Sequence, residues 1–232
     1  MTRQSLNYLF GATILFLWSA VIFSLNITCA GPTHTKGFSI NEGIEKSVEQ
    51  LKKFKALEYK GQSISAVNVI PAFYERRNYS AAWDSKNIND LLYVINEIYK
   101  DGLNPSDYHL DLISELKGLL SENRQKDTQR HALFDIFLTD SLLRLSYHIV
   151  VGKVDPERLD PNWNLAYDLN YTVPEVTIQQ VLDSHNIIGF IDDLKPDHFY
   201  YLRMKKALAH YRDLKHKGGW NVVSVGPTLK LG

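Results

Sequence analysis

The apolar pattern of the chain centres on a stretch from about Arg130 to Val150. There Leu133, Phe134, Ile136, Phe137, Leu138, Leu142, Leu143, Leu145, Tyr147, Ile149 and Val150 put apolar residues on almost every side. The run is too long for a strand, so it predicts a helix buried on most faces, with other helices packed around it. Its polar exceptions Asp140, Arg144 and His148 recur every fourth residue and stack in one stripe, in which Asp140 and Arg144 can pair. That stripe is either a thin solvent-facing seam or a buried polar network. Gly152 then supplies a helix stop, and Asp155-Pro156 and Asp160-Pro161 keep the chain extended or turned as far as Trp163.

Shorter periodic segments flank this helix. Ser39 and Glu42 form a capping-box pattern ahead of Ile44, Val48 and Leu51, which predicts an amphipathic first helix. Residues 57–64 alternate weakly around Gly61 and predict a small hairpin. A helix follows over 67–77 with Pro71 near its start, then an aromatic-ended loop from Tyr79 to Trp83. Ser85 or Asn87 is expected to cap the next helix, with Leu91, Leu92, Ile95 and Ile98 on one side and Asp101-Gly102 closing it. Residues 104–107 predict a turn, and Leu112, Ile113, Leu116, Leu119 and Leu120 another helix. Further on, Thr177 is expected to cap a short helix, followed by a second short apolar piece over 187–194. Pro196 is expected to open a last long helix with Tyr201, Met204, Leu208, Tyr211 and Leu214 on its apolar face, ended by Gly218-Gly219. The fold class that follows is mainly α, an irregular helical domain over 39–220 around one buried central helix, with at most a small β-hairpin.

The N-terminus carries a different signal. Arg3 precedes an uncharged run from Leu9 to Leu25, and small residues follow at Thr28 and Ala30. Residues 1–30 read as an export leader, either cleaved after Ala30 or kept as an inner-membrane anchor, and 31–38 as a linker. With Arg3 inside, the remainder lies outside the cytoplasm. Cys29 is the sole cysteine, and Asn26-Ile27-Thr28 before it makes a poor lipobox. The exported part therefore has no disulfide, no cysteine-type zinc site and no thiol nucleophile.

Composition narrows the partners. At 232 residues and 44% hydrophobic content the chain can bury a core, and its 26 basic residues balance 26 acidic ones. That balance gives no basic footprint for nucleic acid and no acidic tail.

Several motifs occur in a recognisable order. They are Pro71-Ala72-Phe73-Tyr74 with Arg77 and Trp83; Asp101-Gly102-Leu103-Asn104-Pro105-Ser106-Asp107-Tyr108; Leu138-Thr139-Asp140; and Gly152-Lys153-Val154-Asp155-Pro156 with Leu159-Asp160-Pro161 and Trp163. Pro196, Tyr201-Leu202, Ala207-Leu208, Tyr211-Arg212 and Gly218-Gly219-Trp220 continue the series. Over roughly residues 40–230 this resembles the scaffold region of large periplasmic L,D-transpeptidases. The resemblance implies a mostly helical scaffold in the periplasm of a Gram-negative bacterium, with peptidoglycan or cell-wall enzymes as partners and the inner membrane met through the N-terminal segment. In such proteins a peptidoglycan-binding domain and a cysteine transpeptidase domain follow. Residues 221–232 look like the start of a linker to a missing domain, so a truncated transpeptidase is expected, with a standalone adaptor that recognises peptidoglycan or a wall enzyme in trans as the alternative. The family's chemistry has no counterpart residue in this sequence.

The remaining chemistry-bearing residues read better as structure. Asp107, His109 and Asp111 offer three possible metal ligands, yet they border a turn and a helix start, where N-capping explains them. His148 reads as a satisfied buried histidine, and Asp155 and Asp160 as turn formers before proline instead of a glycan-cleaving pair. Tyr74, Trp83 and Trp163 are candidate glycan or partner contacts, although aromatics at loop ends more often plug a core. No catalytic residue, cofactor or metal is expected.

Overall fold

The structure, a computed structural model, describes residues 39–122, 127–154, 174–220 and 226. Ser39 accepts from the Glu42 amide while the Glu42 carboxylate accepts from the Ser39 amide, so the expected capping box starts helix α1 (Ile40–Phe54). Strands β1 (Glu58–Tyr59) and β2 (Gln62–Ser63) pair antiparallel around Lys60 and Gly61, both at positive φ, as the weak alternation implied. Helix α2 (Val69–Arg76) holds Pro71 in its first turn, where a missing N–H costs little. Then come α3 (Ser85–Glu97), a 3-10 turn Ile98–Asp101 closed by Gly102 at φ 89°, a second 3-10 turn Pro105–Tyr108, and α4 (Leu110–Glu122). The central helix α5 (Thr128–Val150) is followed by Gly152 at φ 100°, and then by α6 (Pro174–Ser184), α7 (Ile187–Leu194) and α8 (Phe199–His216).

Helix α5 is the hub, packing on α1, α2, α3, α4 and α7. Every residue from Ala132 to Leu142 is buried, so no face of that half meets water. It approaches α1 closely at Gly43, where a Cβ would sit 3.0 Å from the Ala132 Cβ and 3.2 Å from the Thr128 carbonyl oxygen. A side chain there would push two helices apart, so glycine sets their separation. The C-terminal third of α5 is more open, with Tyr147 54% exposed, because one helix cannot be enclosed along its whole length by neighbours this short.

The element boundaries differ from expectation in three places. The N-cap of α3 is Asp84, whose carboxylate accepts from the Asn87 amide, whereas Ser85 is the first helical residue and Asn87 turns inward to donate to the Leu182 carbonyl. Thr177 lies inside α6, which already begins at Pro174, a residue pre-set for a first helical position. Pro196 precedes α8, which His198 caps; the proline holds Lys195 extended (ψ 140°) and separates α7 from α8.

Helix α8 also departs from its expected packing, because none of its residues is buried. Tyr201 donates to Asp101 at 2.7 Å, Lys205 pairs with the same carboxylate, and Arg212 donates to the Tyr99 carbonyl and lies 5.2 Å from that ring. Polar anchors on one side thus replace the apolar face that the three-four spacing suggested.

Candidate functional site

Two carboxylates on α5 organise the interior. Asp135 sits among Leu133, Phe134, Ile136 and Phe137 and is buried, so it needs donors from other segments. It receives the Tyr74 hydroxyl at 2.7 Å, the Ala82 amide at 2.9 Å and the Trp83 amide at 3.3 Å. One turn along, the Thr139 hydroxyl accepts the Trp83 indole N–H at 2.9 Å and shares a 2.8 Å bond with the Tyr74 hydroxyl. The loop between α2 and α3 is thereby closed onto α5. Its geometry is unusual, since Asn78 and Tyr79 both hold positive φ. Arg77 steadies it by donating to the carbonyls of Ser80 and Ala81, bonding Gln179 of α6 and lying 5.3 Å from the Phe73 ring.

Asp140 forms the second centre, completely buried. One oxygen accepts from the amides of Ser65 (2.9 Å) and Ala66 (2.8 Å) and from the Ser65 hydroxyl (3.0 Å). The other meets His109 Nε2 at 2.8 Å and Arg144 Nη2 at 3.0 Å. Arg144 continues to the carbonyls of Asp107 and Ser63, and His109 Nδ1 bonds Gln62 Oε1 at 2.9 Å. The stripe read from the sequence is therefore a buried network at Asp140 and Arg144, and it fastens the hairpin and the second 3-10 turn to the central helix. His148, at the end of the stripe, bonds the Tyr108 hydroxyl through Nδ1 at 3.1 Å.

N-capping does not describe Asp107 and His109. Asn104 caps their turn, Asp107 pairs with Lys153 at 2.6 Å, and His109 takes a left-handed conformation that drives its ring inward, edge-on to Phe137. Asp111 stays on the exposed first turn of α4. Among the described residues no group of His, Cys, Asp and Glu is arranged to hold a metal ion.

The candidate contact residues separate in the same way. Tyr74 is fully buried, which leaves no ring face for a sugar or a partner, so the structure corrects its reading as a contact. Trp83 is half-buried with its N–H committed to Thr139. Trp163, Asp155 and Asp160 lie outside the described residues, as do the leader and almost all of 221–232. Beside the Asp140 network opens an apolar groove of about 950 Å³ between the open end of α5, α6 and α7, lined by Leu143, Tyr147, Val150, Ile178, Phe190 and Leu194, with Arg144 and His148 on one wall. Such a lining can cover apolar matter.

Burial and hydrogen bonding move the two carboxylates in opposite directions. Desolvation pushes Asp135 up to about 6 despite the amides of Ala82 and Trp83 and the Tyr74 hydroxyl. Asp140 is also desolvated, yet His109, the Ala66 amide and Arg144 hold it below the ordinary carboxylate range. Asp135 binds its proton more tightly folded than unfolded. Its contribution to stability is thus fully present below its ordinary value of 3.8 and lost as pH rises through about 6. For Asp140 the sign reverses: stability is present above its unfolded value and lost as pH falls. His148, lowered by burial and by Arg144 and Lys153, also loses stability toward acid. Subtracting the urea stability of Asp135→Asn from that of the wild type isolates the first group, and the difference should fall between about pH 4 and pH 6. A flat difference would mean that Asp135 titrates as an ordinary aspartate.

A family model described as a scaffold domain matches residues 68–208, from the residue before α2 into α8. The chain belongs to the scaffold-domain family of L,D-transpeptidases. No curated protein and no solved structure matches the chain. The scaffold domain is a non-catalytic family, and its matched span contains the whole Asp135 network and Asp140 with His109 and Arg144, while Ser65, Ala66 and the hairpin that Asp140 fastens lie just before it. Of the network residues, sequence reasoning had found Asp140 and Arg144. It missed Asp135 and Ser65, and had weighed His109 only as a metal ligand or cap and Thr139 only as part of a motif. The one available signal was Asp135 itself, an acid in a helix apolar all round, which implies donors delivered from elsewhere.

Proposed function

We propose that this chain is the scaffold of a protein of peptidoglycan cross-linking and cell-wall biogenesis, exported by its N-terminal segment and facing the periplasm, where it holds a wall-binding module and a cross-linking module in register. The family match over 68–208 carries the reading. The interior supports it in kind: two buried carboxylates hydrogen-bonded to loops from three other segments make a body that resists deformation, as a spacer between modules requires. A second reading, an adaptor that recognises peptidoglycan or a wall enzyme in trans, draws on the apolar groove beside α5.

The experiment is a muropeptide profile of host cells in which the chain is depleted or carries Asp140→Ala. The share of L,D-type cross-links should fall by about twofold or more. An unchanged share in both strains would refute the cross-linking role. Sedimentation of the purified chain with insoluble peptidoglycan, under the same unchanged profile, would favour the adaptor.

A further inference from the structure

Helix α8 carries a second pattern beside its anchors. Tyr200, Met204, Ala207, Tyr211 and Leu214 follow one another at spacings of four, three, four and three, the seam of a helix that pairs with another helix. The seam lies open: Tyr200 is 65% exposed, Met204 73% and Tyr211 56%. The neighbouring positions toward the protein body are occupied, since Tyr201 bonds Asp101 and Leu208 rests 3.7 Å from where a Gly102 Cβ would stand. So α8 is fixed in place on one side and presents a ready apolar ridge on the next.

The residues flanking that ridge decide what fits it. Arg203, His210 and Lys217 line one flank, one per heptad, and Lys215 stands on the other where Tyr201 and Leu208 turn toward the body. Between Phe199 and Lys217 there are six lysines and arginines against a single aspartate, in a chain of formal net charge zero; even with Lys205 paired to Asp101 and Lys217 to Asp213, cations predominate there. Flanking charges beside an apolar seam choose the partner, because they meet the opposing helix at close range. A second copy of α8 would set cations against cations. A bilayer would be met by this ridge, since the other exposed apolar residues Phe199 and Leu202 sit off it at the first turn, whereas helices that lie in a membrane surface offer one broad apolar face.

The geometry points to α8 as the docking surface for an acidic amphipathic helix of a partner protein, with apolar residues packed on Tyr200, Met204 and Tyr211 and carboxylates opposite Arg203, His210, Lys215 and Lys217. This does not depend on the cell-wall reading; a scaffold of any assembly could use it.

The test uses the purified full chain and fluorescein-labelled synthetic peptides of a few heptads, with leucine in the seam and either glutamate or lysine on both flanks, read by anisotropy. The glutamate peptide should bind and weaken as salt rises, and the lysine peptide should not bind. Met204→Glu combined with Tyr211→Glu should weaken binding by at least about tenfold while the circular dichroism is kept, since both side chains are exposed. Arg203→Glu should shift preference toward the lysine peptide without touching the seam. No binding of the glutamate peptide, equal binding of both peptides, or full binding by the double variant overturns the proposal. So does self-association of the chain, or retention on phosphatidylglycerol vesicles over phosphatidylcholine ones, if either is abolished by the double variant.

Discussion

Asp140→Ala should destabilise the domain by about 3–5 kcal/mol in urea melts near neutral pH, the range for removing one partner of a buried charged network. The substitution takes one acceptor from five donor groups at once: the Ser65 amide and hydroxyl, the Ala66 amide, His109 and Arg144. Ser65 and Ala66 lie near the surface and can recover water, and Arg144 keeps its carbonyl partners at Asp107 and Ser63. His109 cannot, because it is 1% exposed and is left with Gln62 alone. Most of the loss should therefore come from an unsatisfied interior, and a Phe137 environment disturbed through its edge-on contact with His109 should report it in near-ultraviolet circular dichroism. A loss under about 1 kcal/mol would show that the network is dispensable and that apolar packing alone holds the hairpin to α5.

Leu142→Ala and Leu145→Ala should each cost about 2–5 kcal/mol, since both side chains are fully buried on α5 and their removal leaves cavities that surrounding helices fill only in part. The size reflects the hub position: helices on several sides would have to move together to collapse the void. Two controls bracket the effect. Tyr147→Ala, on the same helix and 54% exposed, should cost less than either leucine, and Lys117→Ala, an exposed residue bonded to Asn89, should stay within about 0.5 kcal/mol of wild type. Equal losses at the leucines and at Tyr147 in denaturant melts would contradict the burial of α5 from Ala132 to Leu142 and at Leu145. The polar and the apolar substitutions probe different physics, so the Asp140 effect should shrink toward acid while the leucine effects should not.

Scaffold families of this sort are hard to read for function because their working parts are contacts and not reacting groups. Each network residue here resembles a catalytic fragment in isolation. His109 beside Asp140 has the look of a base and its orienting acid, yet both are sealed from solvent, and the bonds of His109 tie it to the central helix and to the hairpin. Tyr74 shows the converse: of its two readings, a contact residue or a core plug, the second holds, and its hydroxyl satisfies a buried carboxylate.

What the sequence determined by itself is local. The capping box at Ser39 and Glu42, the hairpin around Gly61, the helix stops at Gly102 and Gly152 and the Asp140–Arg144 pair all arise between residues at most a few positions apart, and each formed as the spacing required. The apolar periodicity of α5 likewise fixed its burial, because a helix apolar all round has no stable exposed orientation. Tertiary structure decided the rest. The donors to Asp140 come from 75 and 31 residues away, and the hydroxyl on Asp135 from 61. It also settled that Asp84 and not Ser85 caps α3, and that α8 is held by one ion pair and side-chain hydrogen bonds with its apolar ridge left open. The physical reason is the same throughout. Spacing along a helix says which side chains share a face, but whether that face meets water, a carboxylate or another helix depends on which distant segment folds over it.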